Sequence, residues 1–157
     1  ALCAQLARAA GHGGMAGGQA IDLAHVGHKL ERAELQRMHE LKTGALLQCS
    51  VVMGALCGAA DAHALAGLTA YGAAIGLAFQ VVDDVLDVTA ESATLGKTAG
   101  KDAHANKPTY VSAMGLQASQ RYAHSLFAQA EQALLESGLP DTQALQALAR
   151  MVVERAH

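Results

Sequence analysis

"GLAFQVVDDVLDVTAE", residues 76–91, sets three acids inside a run that is otherwise mostly apolar. An α-helix turns by about 100° per residue. On that period Gln80, Asp83, Asp84 and Asp87 fall within an arc of roughly 100°. Ile75, Ala78, Val81, Val82, Val85 and Leu86 lie across from them. The stretch reads as a two-sided helix with an apolar back and an acidic front. On the acid side, toward the N-terminus, come Gly76, Ala73 and Thr69, all small. Such a strip would leave room for an apolar ligand chain.

Acids one turn apart repel one another. No Lys or Arg occurs in the nine residues after Asp87, so their neutralisation should come from outside the helix. A hard divalent cation suits carboxylate oxygens, and Mg²⁺ is usually held by one or two carboxylates together with phosphate oxygens. A solvated acidic face is the plain alternative.

The rest of the 157 residues points to an all-helical chain. More than half are apolar, yet only five are Phe or Tyr and none is Trp. The core must then be built from Ala, Leu, Val, Ile and Met. Prolines stand only at 108 and 140, and β-branched residues never dominate a window for long. These are helix-favouring features. The length suits one domain with several packed helices. The formal net charge is −3, with no basic patch interleaved with aromatics, which argues against nucleic acid. No uninterrupted apolar run reaches about 18 residues, which argues against a membrane span. Nothing at the start resembles a signal peptide. Cys3, Cys49 and Cys57 form no CxxC and read as free buried thiols in a reducing compartment.

"ALCAQLARAA" opens without Met or a helix N-cap and reads as the tail of a helix already under way. Gly11, Gly13 and Gly14 should stop it. The next short helix carries Gly17 and Gly18, which cost helix stability, so close packing or backbone approach is expected there. A long helix should run to about Ala60. Asp61 is a good N-cap for the helix of the acids, about His63–Thr89. Residues 90–107 read as a polar loop carrying Lys97, Lys101 and Lys107. Pro108 is expected to start a helix, helices then close at Gly138, and a last one covers about 142–155.

In "HELKTGALL", residues 39–47, Lys42 sits in line with Leu35, Met38, Leu46 and Cys49. Either its ammonium snorkels to water or it enters a cavity and binds phosphate as a point charge. Thr43 and Gly44 suit close contact with a ligand. The lysines of the loop could fold over an anionic, metal-bound ligand or stay solvated. Asp22 reads as a helix-surface acid or one supporting a neighbour. His25, His28 and the other histidines read as surface or capping residues.

Four pieces in order carry a resemblance: "GGMAGGQAIDL" (13–23), "HELKTGALL", "GLAFQVVDDVLD" (76–87), and "TLGKTAGKD" (94–102) followed by "NKPTY" (106–110). With them the chain resembles the polyprenyl diphosphate synthases, most of all the bacterial short-chain members of the farnesyl type. The resemblance implies an all-α bundle of the isoprenoid synthase type around a deep cavity. It implies a prenyltransferase joining isopentenyl diphosphate to an allylic diphosphate, dimethylallyl or geranyl, to give farnesyl diphosphate. Three Mg²⁺ would stabilise the departing diphosphate.

Position by position, the resemblance makes Asp83, Asp84 and Asp87 the second aspartate-rich motif and Mg²⁺ ligands, Asp83 most directly. Lys42 and Lys97 would contact the allylic diphosphate. Thr43 and Gln80 would line the reacting carbons, steadying the cation and taking up the proton. Phe79 would lie on the isopentenyl side. Lys107 joins the substrate-binding set, although here Pro108 precedes Thr109 and Tyr110 where the family often has the proline after the pair. A cytoplasmic homodimer is implied.

Residues 1–157 would be the C-terminal part of a single synthase domain, without the first aspartate-rich motif. The chain alone is then expected to be inactive. Two other readings stay open. One is a non-catalytic helical subunit whose partner supplies the missing motif; the other is a helical interaction protein whose acids are merely solvated.

Overall fold

The computed structural model of the chain describes residues 1–28, 30–94 and 108–155. Every regular element among them is helical, so the chain is all-α. Helices α1 (Leu2–Ala10) and α2 (Met15–Ala24) are joined across Gly11–Gly14. Helix α3 (Arg32–His39) runs through a π-helical turn, Glu40–Gly44, into α4 (Ala45–Cys57). Then follow α5 (Ala62–Thr94), α6 (Tyr110–Met114), α7 (Leu116–Glu136) and α8 (Gln143–Glu154).

Side-chain caps set the starts of α5 and α6. Asp61 caps α5, its Oδ1 accepting the Ala64 N–H at 2.8 Å. α5 continues to Thr94, beyond the expected end at Thr89. Pro108 does not start the next helix. Thr109 does, through a reciprocal cap in which its Oγ1 accepts the Ser112 N–H and Ser112 Oγ accepts the Thr109 N–H. A hydroxyl satisfies the free N–H groups of a first turn, which proline cannot do.

α5 is the axis of the bundle, with α7 and α4 packed most extensively against it. Most of its apolar back is buried: Ile75, Ala78, Val81, Val82 and Val85 are each 5% exposed or less, and Leu86 is half-buried. Toward its end α5 joins a core with Leu35, Met38, Tyr110, Ala123 and Leu126; toward its start it joins another with Ala130, Leu134, Ala149 and Val152. Tyr71 Oη donates to Leu145 O at 2.8 Å and ties α5 to α8. Burial pushes that phenol up to about 12, so it stays a neutral donor.

By length and composition Ala62–Thr89 could cross a bilayer, but more than half of its most apolar window is buried inside the protein. Its apolar content serves the core, and the same helix carries the three acids. The cysteines depart from expectation. Cys49 is buried, whereas Cys3 and Cys57 are exposed; all three are free.

Glycines allow close backbone crossings, two of them at the π turn. A Cβ on Gly18 of α2 would strike the backbone of Lys42, and one on Gly76 of α5 would lie 2.8 Å from Gly44 Cα. Gly76 therefore serves helix packing; at this point the small strip is filled by the π turn. α4 is apolar on every side, yet only Cys49 and Ala55 are buried, and Leu46, Leu47, Val51, Val52, Met53 and Leu56 are half-buried. A helix apolar all round normally sits inside a core.

Gly18→Ala is expected to cost about 2 kcal/mol or more, because backbone has to move. Gly54→Ala, on α4 with open space around it, should be neutral or stabilise by up to about 1 kcal/mol. Urea unfolding of the two variants measures both; equal effects would contradict the crossing.

Candidate functional site

Four segments of the chain converge on one cavity. α2 contributes Asp22, the α3–π segment contributes Met38, His39 and Lys42, and α5 contributes Gln80, Asp83, Asp84, Asp87 and Val88. Pro108 and Thr109 complete a space of about 290 Å³. The sequence-predicted Lys42, Gln80 and three acids are thus brought together.

The π turn is the local device. An i→i+5 turn is wider than an α turn and often marks a functional site. It interrupts the straight stripe expected along this helix: Leu41 and Gly44 are buried, and Lys42 is only partly so. Lys42 Nζ reaches Asp22 Oδ2 at 2.6 Å, with the two side chains 31% and 15% exposed. Snorkelling to water alone does not describe it, since it is a paired ammonium at the cavity wall.

Beside it Thr43 Oγ1 donates to Gln80 Oε1 at 3.1 Å. Gln80 Nε2 then points to Asp84 Oδ1 at 3.4 Å, and the Tyr110 N–H donates to Asp84 Oδ2 at 2.7 Å. A chain of polar contacts so runs from the π turn through α5 to α6. It fixes which end of the Gln80 amide faces Thr43.

The three acids divide by environment. Asp84 is 5% exposed and both of its oxygens are engaged. Burial pushes its carboxyl up to about 6, opposed by the Tyr110 and Gln80 hydrogen bonds and reinforced by Asp87 and Asp83. Asp83 is also raised by burial, with Arg155 pulling it down and Asp87 pushing it up. Asp87 is exposed. Among the described residues no group of three or more His, Cys, Asp or Glu is placed to hold a metal by itself. Asp83 and Asp87 still offer hard oxygen donors to the cavity, which fits a Mg²⁺ completed by phosphate or water. Asp84, in the same cavity lining, also anchors the Tyr110 backbone.

Phe79 faces elsewhere. It packs against the core of α7 and α8, and Arg155 covers its ring. Lys97, Lys101 and Lys107 lie outside the described residues. His39, which the sequence did not single out, is buried against the Tyr110 ring, centroids 5.5 Å apart. His25 behaves as a capping residue, Nδ1 lying 2.8 Å from Ile21 O. The pairing of Asp22 with Lys42 was foreshadowed only by Gly18, whose missing side chain lets α2 approach. Arg155 had no signal in the sequence.

Asp84 yields a pH test. Its pKa is higher folded than unfolded, so the native state binds the proton more tightly between about pH 4 and pH 6. Stability is therefore lost as pH rises through that window and is flat on either side. Asp84→Asn keeps an acceptor for the Tyr110 N–H and has no such step. Relative to wild type it should gain on the order of 2 to 3 kcal/mol between pH 4 and pH 8 without metal. Denaturant unfolding at both pH values reads this, and a pH-independent difference would refute the shift.

A family model described as "Polyprenyl synthetase" matches residues 4–145. The chain is 51% identical over 142 residues to a Sinorhizobium fredii protein named "Probable farnesyl diphosphate synthase", covering 88% of this chain and 43% of that one. It is 43% identical over 157 residues to the farnesyl diphosphate synthase of Escherichia coli, covering 98% of this chain and 52% of that one. The solved geranyltransferase of Helicobacter pylori, complexed with magnesium and isoprenyl diphosphate, superposes with a TM-score of 0.77 at 31% identity, over 98% of this chain and 50% of that one. The chain spans about half the length of the curated relatives it matches. Since the match runs through α2, the π turn and the acid stretch of α5 alike, the chain belongs to the polyprenyl synthetase family.

Proposed function

We propose that residues 1–157 are the C-terminal part of a single polyprenyl synthase domain and form one wall of a prenyltransferase site. The whole protein would condense isopentenyl diphosphate with dimethylallyl or geranyl diphosphate to give farnesyl diphosphate. The observation that carries this reading is the convergence of Lys42, Gln80, Asp83 and Asp87 on one cavity, in a chain matched by the polyprenyl synthetase model.

Each described residue then has a physical task. Lys42 supplies a compact positive charge to the allylic diphosphate, and Asp22 holds it at the wall until the anion arrives. Gln80 Oε1, fixed by Thr43, presents a carbonyl dipole beside the reacting carbons, where positive charge develops. Thr43 and Gln80 would also take up the proton. Asp83, Asp84 and Asp87 would hold Mg²⁺, Asp83 most directly, and three ions are expected in a complete site. When bound, Mg²⁺ neutralises the charge of the departing diphosphate. Lys97 and Lys107 would complete the substrate contacts, and Phe79, which lies outside the cavity of Lys42 and the acids, would meet the isopentenyl side.

The half-buried apolar faces of α4 support cover by further polypeptide, namely the remaining half of the domain and a second copy in a homodimer. Free thiols at Cys3, Cys49 and Cys57 suit a cytoplasmic protein.

Titration calorimetry with Mg²⁺ and a bisphosphonate tests the site. Bisphosphonate binding should require Mg²⁺, and Asp83→Ala and Lys42→Met should each weaken it about tenfold or more. A helical interaction protein with a solvated acid face gives no metal-dependent heat. The 157-residue chain alone should not turn over isopentenyl and geranyl diphosphates; turnover would overturn the one-wall reading.

A further inference from the structure

Arg155 follows the end of α8 and does not line the cavity, yet it meets two residues of the acid stretch. Its Nη2 lies 3.6 Å from Asp83 Oδ1, and its Cζ lies 4.3 Å from the Phe79 ring centroid. Phe79 and Asp83 are four apart on α5, so their side chains are neighbours on the helix surface. One planar cation spans both, stacking on the ring while its N–H groups face the carboxylate.

The charge balance explains why a cation is held there. Asp83 is half-buried beside Asp84 and Asp87, and Lys42 is engaged by Asp22. Arg150, earlier on α8, points to Glu131 instead at 4.0 Å. The Arg155–Asp83 contact is weak, because the side chains are 37% and 43% exposed and such pairs are worth little in water. A weak contact is easily exchanged. A divalent cation on Asp83 would face the guanidinium at close range, and the two positive charges repel.

We infer that Arg155 is a placeholder cation: it neutralises Asp83 and covers Phe79 in the metal-free protein, and leaves both when a divalent cation takes Asp83. This rests on Asp83 being a metal ligand, as proposed above. Metal binding would then uncover the Phe79 ring, so a carboxylate event is coupled to an aromatic surface one turn away. Arg155 is a positioning residue in this scheme.

NMR of the 157-residue chain, titrated with MgCl₂ at constant ionic strength, tests it. The Arg155 side-chain signals, assigned by their loss in Arg155→Gln, should start shifted by the Phe79 ring. They should move toward free-arginine positions with the same midpoint as the amides around Asp83. Arg155→Gln should bind Mg²⁺ about two- to fivefold more tightly, the fold-change that corresponds to a half-exposed ion pair. Arg150→Gln, which removes the same charge from the same helix, should bind as wild type. The inference is overturned if Mg²⁺ moves the amides around Asp83 but leaves Arg155 in place, if Arg155→Gln binds as wild type, or if Arg150→Gln tightens binding equally. Failure of Mg²⁺ to move any of these signals overturns the metal site itself and the placeholder with it, and differs from the other outcomes in its silent amides.

Discussion

Two contacts between backbones hold the site together. Gly18 of α2 rests on the backbone of Lys42, and Gly76 of α5 rests on Gly44. A threonine side chain is short, so Thr43 reaches Gln80 at 3.1 Å only because the π turn and α5 cross this closely. The same closeness on the other side lets Asp22 reach Lys42. Packed backbones do not yield gradually, so a Cβ at either crossing displaces a whole helix along with its polar contacts.

The electrostatics follow from that packing. The cavity gathers four carboxylates, Asp22, Asp83, Asp84 and Asp87, against one lysine. Each acid is managed differently. Asp22 has the lysine, Asp84 has a backbone N–H and an amide, and Asp83 has a borrowed arginine. Asp87 is left to solvent. Four acids against one lysine leave the cavity with an excess of negative charge, which a divalent cation would offset.

Much of this was legible in one dimension because helices translate spacing directly into faces. The apolar back of α5 is buried as its periodicity required, and Asp61 caps the helix it precedes. Lys42, Gln80 and the acids were recognisable as misfits, polar groups in apolar company. What misled was local. Pro108 is a favoured first-turn residue, but the Thr109–Ser112 cap satisfied more backbone groups and began α6 instead. The straight stripe through Lys42 assumed a regular turn, and the π turn interrupted it.

The sequence by itself determined the all-helical class and the two-sided character of α5, since each depends on residues a few positions apart, and it marked Lys42 and the acids as misfits. The tertiary structure alone decided that Asp84 anchors the Tyr110 backbone while lining the same cavity as Asp83 and Asp87, that Asp22 holds Lys42, and that Arg155 lies on Phe79 and Asp83. Those outcomes depend on which helices approach one another and how closely. Chain spacing within one helix carries no information about the charges that another helix brings to it.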